Sequence, residues 1–360
     1  MAIKTLFFRS IVGLILISLG LFAVAWLITF HPPAVQTENI SCPTDSPRLS
    51  NKQTIRLYNH NVQFMAGKNY VFFYDMANNA GPDERPAAAD IQQTLQGLAQ
   101  LITQQNPDII LLQEVDHGAK RTDYADQLSD LLELLPEDYR CHTSSVYWQA
   151  SYLPHPRIMG AVGTKLSIIS KYKIHTAKRH QLSLIPEDPI SQLFNFKRAL
   201  LDARLPLEEG GELAVLTTHL SAFSKGTDTL QRQVTQIDQH LQQLDKEKTA
   251  WIIGGDFNLL PPNSYPLLAE AQRVNYQPDS AIDVLYQRYA AIPSLQATQS
   301  AQRELWFTYQ SNDPSVERAD RTIDYYFYSR RVSLQHAYIE PEAAARLSDH
   351  LPIIAEITLQ

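Results

Sequence analysis

Several residues that can bind cations or move protons stand where apolar runs end. Glu114 follows Ile109-Ile110-Leu111-Leu112-Gln113, and His219 closes Val215-Leu216-Thr217-Thr218. Asp256 follows Ile252-Ile253-Gly254-Gly255, with Asn258 just beyond it. Asn61 lies near the end of the first apolar alternation, and Asp349-His350 directly precede the last. An ionised group at the rim of a buried strand needs a partner, a metal or water. Loops at strand ends are also where α/β enzymes carry their chemistry. Glu114, Asp349 and the amide oxygen of Asn61 make a hard oxygen set that selects Mg²⁺, with Mn²⁺ acceptable, over softer metals. Such an ion neutralises phosphate charge. Imidazoles supply protons to a leaving oxygen, and a carboxylate orients water. The types therefore fit phosphoryl chemistry. The sequence holds no glycine-rich phosphate loop, HExxH or G-x-S-x-G, which argues against P-loop, zincin and nucleophile-elbow chemistry.

The elements that must position these groups are legible as alternating strands and helices. Ile55 to Phe64, Asp108 to Gln113, Ala199 to Leu205, Glu212 to His219 and Trp251 to Gly255 read as strands. So do Thr322 to Tyr328, Val332 to Tyr338 and Pro352 to Leu359. Glu208-Glu209-Gly210-Gly211 reads as a hairpin turn. Helical spacing joins Ile91, Leu95, Leu98 and Ile102, stopped by Asn106-Pro107, then Tyr124, Leu128, Leu131 and Leu135. A third helix runs through Leu230, Val234, Ile237, Leu241 and Leu244. Hairpins mixed with crossovers predict an α/β or α+β body, sheets inside and helices outside. Pro261 to about Gln310 is expected to hold a helix and a surface loop near the site.

No charged residue occurs from Ser10 to Phe30, a run long enough to cross a bilayer as a helix. Lys4 and Arg9 precede it, which places the N-terminus in the cytoplasm and the body outside. Ala23-Val24-Ala25 fits a cleavage site, but apolar residues continue past it, so an uncleaved anchor is the preferred reading. The division is then 1–9 cytoplasmic, 10–30 transmembrane, 31–52 a Pro/Ser/Thr/Asn-rich linker and 53–360 the main domain. Formal net charge is -7, a poor match for non-specific nucleic-acid binding. Cys42 and Cys141 are either one disulfide or two free thiols; without CxxC spacing they make no structural zinc site.

Gln113-Glu114-Val115, Thr218-His219-Leu220, Gly255-Asp256-Phe257-Asn258, Ile323-Asp324-Tyr325 and Ser348-Asp349-His350 stand in this order. Together they resemble the endonuclease/exonuclease/phosphatase superfamily, the deoxyribonuclease-I-like fold, over about Ile55 to Leu359. The resemblance implies an α+β fold: a four-layered α/β/β/α sandwich of two packed mixed sheets. It implies Glu114 as principal metal ligand, with Asn61 and Asp349 beside it. Asp256 would position or deprotonate the attacking water, and Asn258 would support the pentacovalent phosphate. His350, oriented by Asp324, would serve the phosphate from one side and His219 from the other. Asn59 competes with Asn61 for the first-strand position. Asn61 is preferred because His60-Asn61-Val62-Gln63-Phe64 is similar to the secreted sphingomyelinase-type branch, as is Gly163 to Ile174, although Lys173 replaces that motif's usual Pro.

His60, His117, His155, His175 and His180 are expected at the surface or in loops. Lys171, Lys173, Lys178 and Arg179 are expected on a solvated edge. Lys165, Arg198 and Tyr152 are secondary candidates for substrate contact. The expected function is a membrane-anchored, extracytoplasmic Mg²⁺-dependent phosphoesterase acting on a phosphodiester or phosphomonoester, with phospholipid or sphingolipid headgroups as candidate substrates. An extracytoplasmic nuclease of the same fold and a silent membrane-anchored binding module are the alternatives.

Overall fold

The computed structural model describes residues 2–76, 80–222 and 224–360. Its elements run α1 Ala2–Leu27, β1 Val35–Thr37, β2 Ile40–Ser41, β3 Thr54–Asn61, α2 Ala88–Gln105, β4 Ile109–Asp116, α3 Gln127–Leu134, β5 Cys141–Leu153, β6 Gly160–Ser170 and β7 Thr176–Gln181. They continue with α4 Pro189–Phe194, β8 Ala199–Pro206, β9 Glu212–His219, α5 Thr229–Lys246, β10 Ala250–Asp256, α6 Asp283–Arg288, β11 Ala290–Ile292, α7 Leu295–Gln299, β12 Asp324–Tyr328, β13 Val332–Ile339 and β14 Ile353–Leu359.

Two seven-stranded sheets form, in the orders β1-β7-β8-β9-β10-β12-β11 and β13-β14-β3-β4-β6-β5-β2. Each contains one parallel pair, β3 with β4 and β9 with β10, bridged by helices α2 and α5. Both sheets are mixed, as the resemblance implies. One core of Leu57, Leu111, Leu166, Leu201, Val215 and Ile252 joins their facing surfaces. Helix α2 buries Ile91, Leu95, Leu98 and Ile102 and ends at left-handed Asn106 (φ 47°). Helix α5 buries Val234, Ile237, Leu241 and Leu244 under the first sheet. Each such side chain contributes about 1.5–3 kcal/mol by leaving water. Gly254 is required where β10 meets the opposite sheet: a Cβ there would stand 2.8 Å from the Leu111 side chain and 2.5 Å from Tyr326.

Several expectations change. Strand β3 stops at Asn61 instead of Phe64, because Gln63, Phe64 and Met65 turn left-handed (φ 44°, 41° and 57°). Helix α3 starts at Gln127, since Asp123 and Tyr124 are also left-handed. Arg179 is not on a solvated edge but fully buried, donating to the carbonyls of Val146 and Lys197. The stretch 31–52 is not a free linker. Strand β1 pairs with β7, β2 pairs with β5, and Cys42 is bonded to Cys141. The signal was missed because the pairing is made by backbone groups, which side-chain composition does not report.

The disulfide closes a loop of sequence separation 99, and such closure chiefly restricts the unfolded chain. Replacing both cysteines by Ser should cost about 2–5 kcal/mol of stability, read as a lower urea midpoint with unchanged slope. Equal midpoints for the two proteins would show that the arm is not held by this bond.

Candidate active site

Strand register assembles the site at one end of the sandwich. Across three neighbouring strands Asp256 stands beside His219 on one side and Asp324 on the other. In the second sheet Asn61 ends β3, Glu114 lies in β4, and Asp349-His350 enter β14, which pairs with β3. A bulge between Leu112 and Val115 interrupts β4, and Glu114 within it is left-handed (φ 57°). A non-glycine residue in that region costs about 1–3 kcal/mol and persists only where its surroundings enforce it. Asn258 is likewise left-handed (φ 51°).

Hydrogen bonds then cross between the sheets. Asn61 Nδ2 donates to Glu114 Oε1 at 3.1 Å and to Asp256 Oδ2 at 3.0 Å. His350 Nδ1 pairs with Asp324 Oδ2 at 2.8 Å, while its Nε2 lies 3.6 Å from Asp256 Oδ2 and 4.0 Å from Asp349 Oδ1. His219 Nε2 is 3.3 Å from Asp256 Oδ2. The backbone N–H of Asn258 donates to Asp256 Oδ1 at 2.9 Å, and its side chain to the Leu220 carbonyl at 3.1 Å, fixing the loop after β9. All eight expected site residues, Asn61, Glu114, His219, Asp256, Asn258, Asp324, Asp349 and His350, thus converge through this network. Asn59 lies one step back, accepting from Gln113 Nε2.

Environment separates the two imidazoles. Burial, reinforced by Arg198 and His350, pushes His219 well below the ordinary histidine range, so it is neutral. Its Nδ1 is 3.3 Å from the Tyr147 hydroxyl. For His350, burial opposes the charge, but Asp324, Asp256 and Asp349 outweigh it and raise the pKa to about 10. Burial lifts Asp256 to about 7. Glu114 is raised by burial and then by Asp349, and Asp75 is raised to about 7 by the same two causes.

Such crowded, buried carboxylates fit a divalent cation, which would offset the burial and the mutual repulsion that lift their pKa values. Glu114 and Asp349 supply hard oxygens. Asn61 presents its amide nitrogen to the site, since its Oδ1 accepts from the Gln63 N–H at 3.1 Å. Asp256, Asp324 and His350 also bring one ligand atom each to within 4.8 Å of one another.

Sequence reasoning missed several neighbours. His60, expected at the surface, is buried; its Nε2 meets the His350 carbonyl and its Nδ1 the Tyr58 hydroxyl, each at 2.9 Å. Burial lowers its pKa to about 3, so it is a neutral support for the His350 backbone. Tyr147 carried no signal beyond strand alternation. Arg198 is buried over the rings of Tyr147 and Phe196, whereas Lys165 is paired with Asp126 and Tyr152 with Met159. His180 is half-buried beside His240 and Asp202, whose carboxylate is already held by Arg204. A cleft of about 450 Å³ opens next to Asn258, lined by Lys225, Thr227, Tyr276 and Gln277 among others.

Residues 58–350 match the model of the Endonuclease/Exonuclease/phosphatase family. No curated protein matches the chain. An endonuclease/exonuclease/phosphatase from Beutenbergia cavernae DSM 12333 is similar in fold, at TM-score 0.60 and 18% identity over 86% of this chain and 72% of that one. The human Nocturnin catalytic domain with bound sulfate anion gives 0.54 and 16%, covering 90% of this chain and 97% of that one. A Bacteroides vulgatus endonuclease/exonuclease/phosphatase gives 0.53 and 17%, over 86% and 100%.

Asp324→Asn should move the His350 titration down toward the ordinary histidine range, because it removes the strongest favourable charge on the imidazolium. NMR of the ring protons reads this directly. A titration left in place would mean that Asp324 does not hold the charge.

Proposed function

The chain belongs to the endonuclease/exonuclease/phosphatase family and is a metal-dependent phosphoric ester hydrolase; on that premise we propose that it is a membrane-anchored, extracytoplasmic, Mg²⁺-dependent phosphoesterase. The observation that carries this reading is the meeting of oxygen and imidazole groups from both sheets around Asn61 Nδ2. Glu114 and Asp349 would hold the cation, with Asn61 as their hydrogen-bonding neighbour. Bound there, the ion supplies charge stabilisation to the phosphate.

The protein's own groups account for the remaining work. Asp256, near 7 and fixed by the Asn258 N–H, accepts a proton from an attacking water and orients it. His350, cationic and held by Asp324, donates through Nε2 to a phosphate oxygen or the leaving oxygen. Neutral His219, backed by Tyr147, donates through Nε2 on the other side. Asn258 supports the phosphate at the cleft mouth.

The membrane part of the reading rests on Leu6–Leu27, an apolar 22-residue stretch that is not buried against the domain. Lys4 and Arg9, ahead of the uncharged run from Ser10 to Phe30, favour a cytoplasmic N-terminus. The Cys42–Cys141 bond agrees with an oxidising compartment on the far side. The net charge of -7 disfavours nucleic acid as the substrate.

Full-length protein in detergent should hydrolyse bis(p-nitrophenyl) phosphate with Mg²⁺ and stop with EDTA. Glu114→Ala should lower kcat/KM on the order of 10³-fold or more, the scale of losing an electrostatic stabiliser of the transition state, while calorimetry shows weakened Mg²⁺ binding. Undiminished turnover in that variant would remove Glu114 from the site. Rapid nicking of plasmid DNA with a steep salt dependence would favour the nuclease reading instead.

A further inference from the structure

The membrane helix is bonded to the domain without slack. Helix α1 ends at Leu27, and the very next carbonyl, Ile28, accepts from the Ser151 N–H at 2.8 Å. Thr29 bridges to Ala150 in β5, and the Phe30 ring faces the buried Arg179 guanidinium at 5.5 Å. The chain crosses to the other sheet, where β1 pairs with β7, then returns to β5 through β2 and the Cys42–Cys141 bond. One arm therefore ties the edge strands of both sheets together and to α1.

The same strand reaches the site. The Tyr147 hydroxyl lies 3.3 Å from His219 Nδ1. Ser151, bonded to Ile28, is four residues further along β5, about 13 Å at the usual strand rise. Arg179 links the two points: it donates to the Val146 and Lys197 carbonyls, and the Lys197 N–H donates to the Tyr147 carbonyl. Around the exit stand large apolar side chains in water: Tyr152 is 41%, Met159 50% and Ile190 61% exposed. Tyr152 reaches Met159, and Ile190 lies on α4, which packs against α1. Apolar residues clustered at a membrane exit belong in the interfacial layer.

We propose that the arm is a rigid mount that seats Tyr152, Met159 and Ile190 in the headgroup layer of the membrane α1 spans, presenting the His219 side of the site to phosphoesters of lipids in that membrane. This rests on the anchored-hydrolase reading above and names its substrate class. A free tether would let the domain tumble and act equally on soluble esters. The mount instead fixes one face against the bilayer.

Both native cysteines are bonded, so single new cysteines can carry nitroxide labels on the full chain in vesicles of phosphatidylethanolamine, phosphatidylglycerol and sphingomyelin. Labels at Tyr152→Cys and Ile190→Cys should become accessible to oxygen and shielded from a nickel chelate. A label at Leu334→Cys, on the opposite edge strand β13, should stay aqueous. All three remaining aqueous would overturn the mount. In the same vesicles, Met159→Glu with Ile190→Glu should lower lipid phosphoester cleavage at least about tenfold while turnover of bis(p-nitrophenyl) phosphate is unchanged. Equal loss on both substrates, or on neither, would count against the proposal. Wild-type protein that cleaves the soluble ester but none of the vesicle lipids would overturn the substrate class alone. No cleavage of either would overturn the hydrolase reading instead.

Discussion

Two sheets are locked together at one end by hydrogen bonds between buried polar groups: Asn61 to Asp256, and His350 to Asp324. The rest of the site follows from that constraint. Charges this deep are tolerable only when paired, and stripping a partner from a buried ion pair typically costs about 3–5 kcal/mol. Each member is therefore braced from behind. His60 supports the His350 carbonyl, Ser348 Oγ donates to the Asn61 carbonyl, and the Asn258 N–H caps Asp256. The packed hydrophobic interior sets the sheet separation, and Gly254 permits the close approach just before Asp256. Precision at the site is thus inherited from packing some residues away.

The electrostatics carry a second consequence. Burial raises Glu114, Asp256 and Asp75 together, while three acids hold His350 charged. Clustered carboxylates of this kind are hard oxygen donors of the sort that suit a small divalent cation. Neutral His219 opposite cationic His350 gives the two flanks different proton inventories, though sequence presents both simply as histidine after or before a strand.

Strand ends were the most legible feature. Glu114, His219, Asp256 and Asp349-His350 declare themselves because a charged or polar group abutting an apolar run has no ordinary structural reason to be there. The helices were legible for the same kind of reason, as Leu95, Leu98 and Ile102 repeat at the helical period. His60 and Arg179 were not. Each is buried against carbonyls distant in sequence, His350 for one, Val146 and Lys197 for the other, and partners of that kind leave no local signature in the chain. The left-handed turn at Gln63, Phe64 and Met65 was equally hidden, because none of these residue types favours positive φ.

The arm between helix and domain was the largest surprise, and its logic is geometric. An open sandwich leaves an edge strand on each sheet with unpaired N–H and C=O groups, a template for aggregation. Here β7 and β5 would be such edges, and one passing segment covers part of both. Edge protection and the attachment of helix α1 to the domain are thereby one structure. Loosening the attachment would expose strand edges, and tightening the edges fixes the attachment. The site escapes this coupling in one respect only: its polar groups stand at the ends of the inner strands β3, β4, β9, β10, β12 and β14, so the edges hold the arm while the inner strands carry the site.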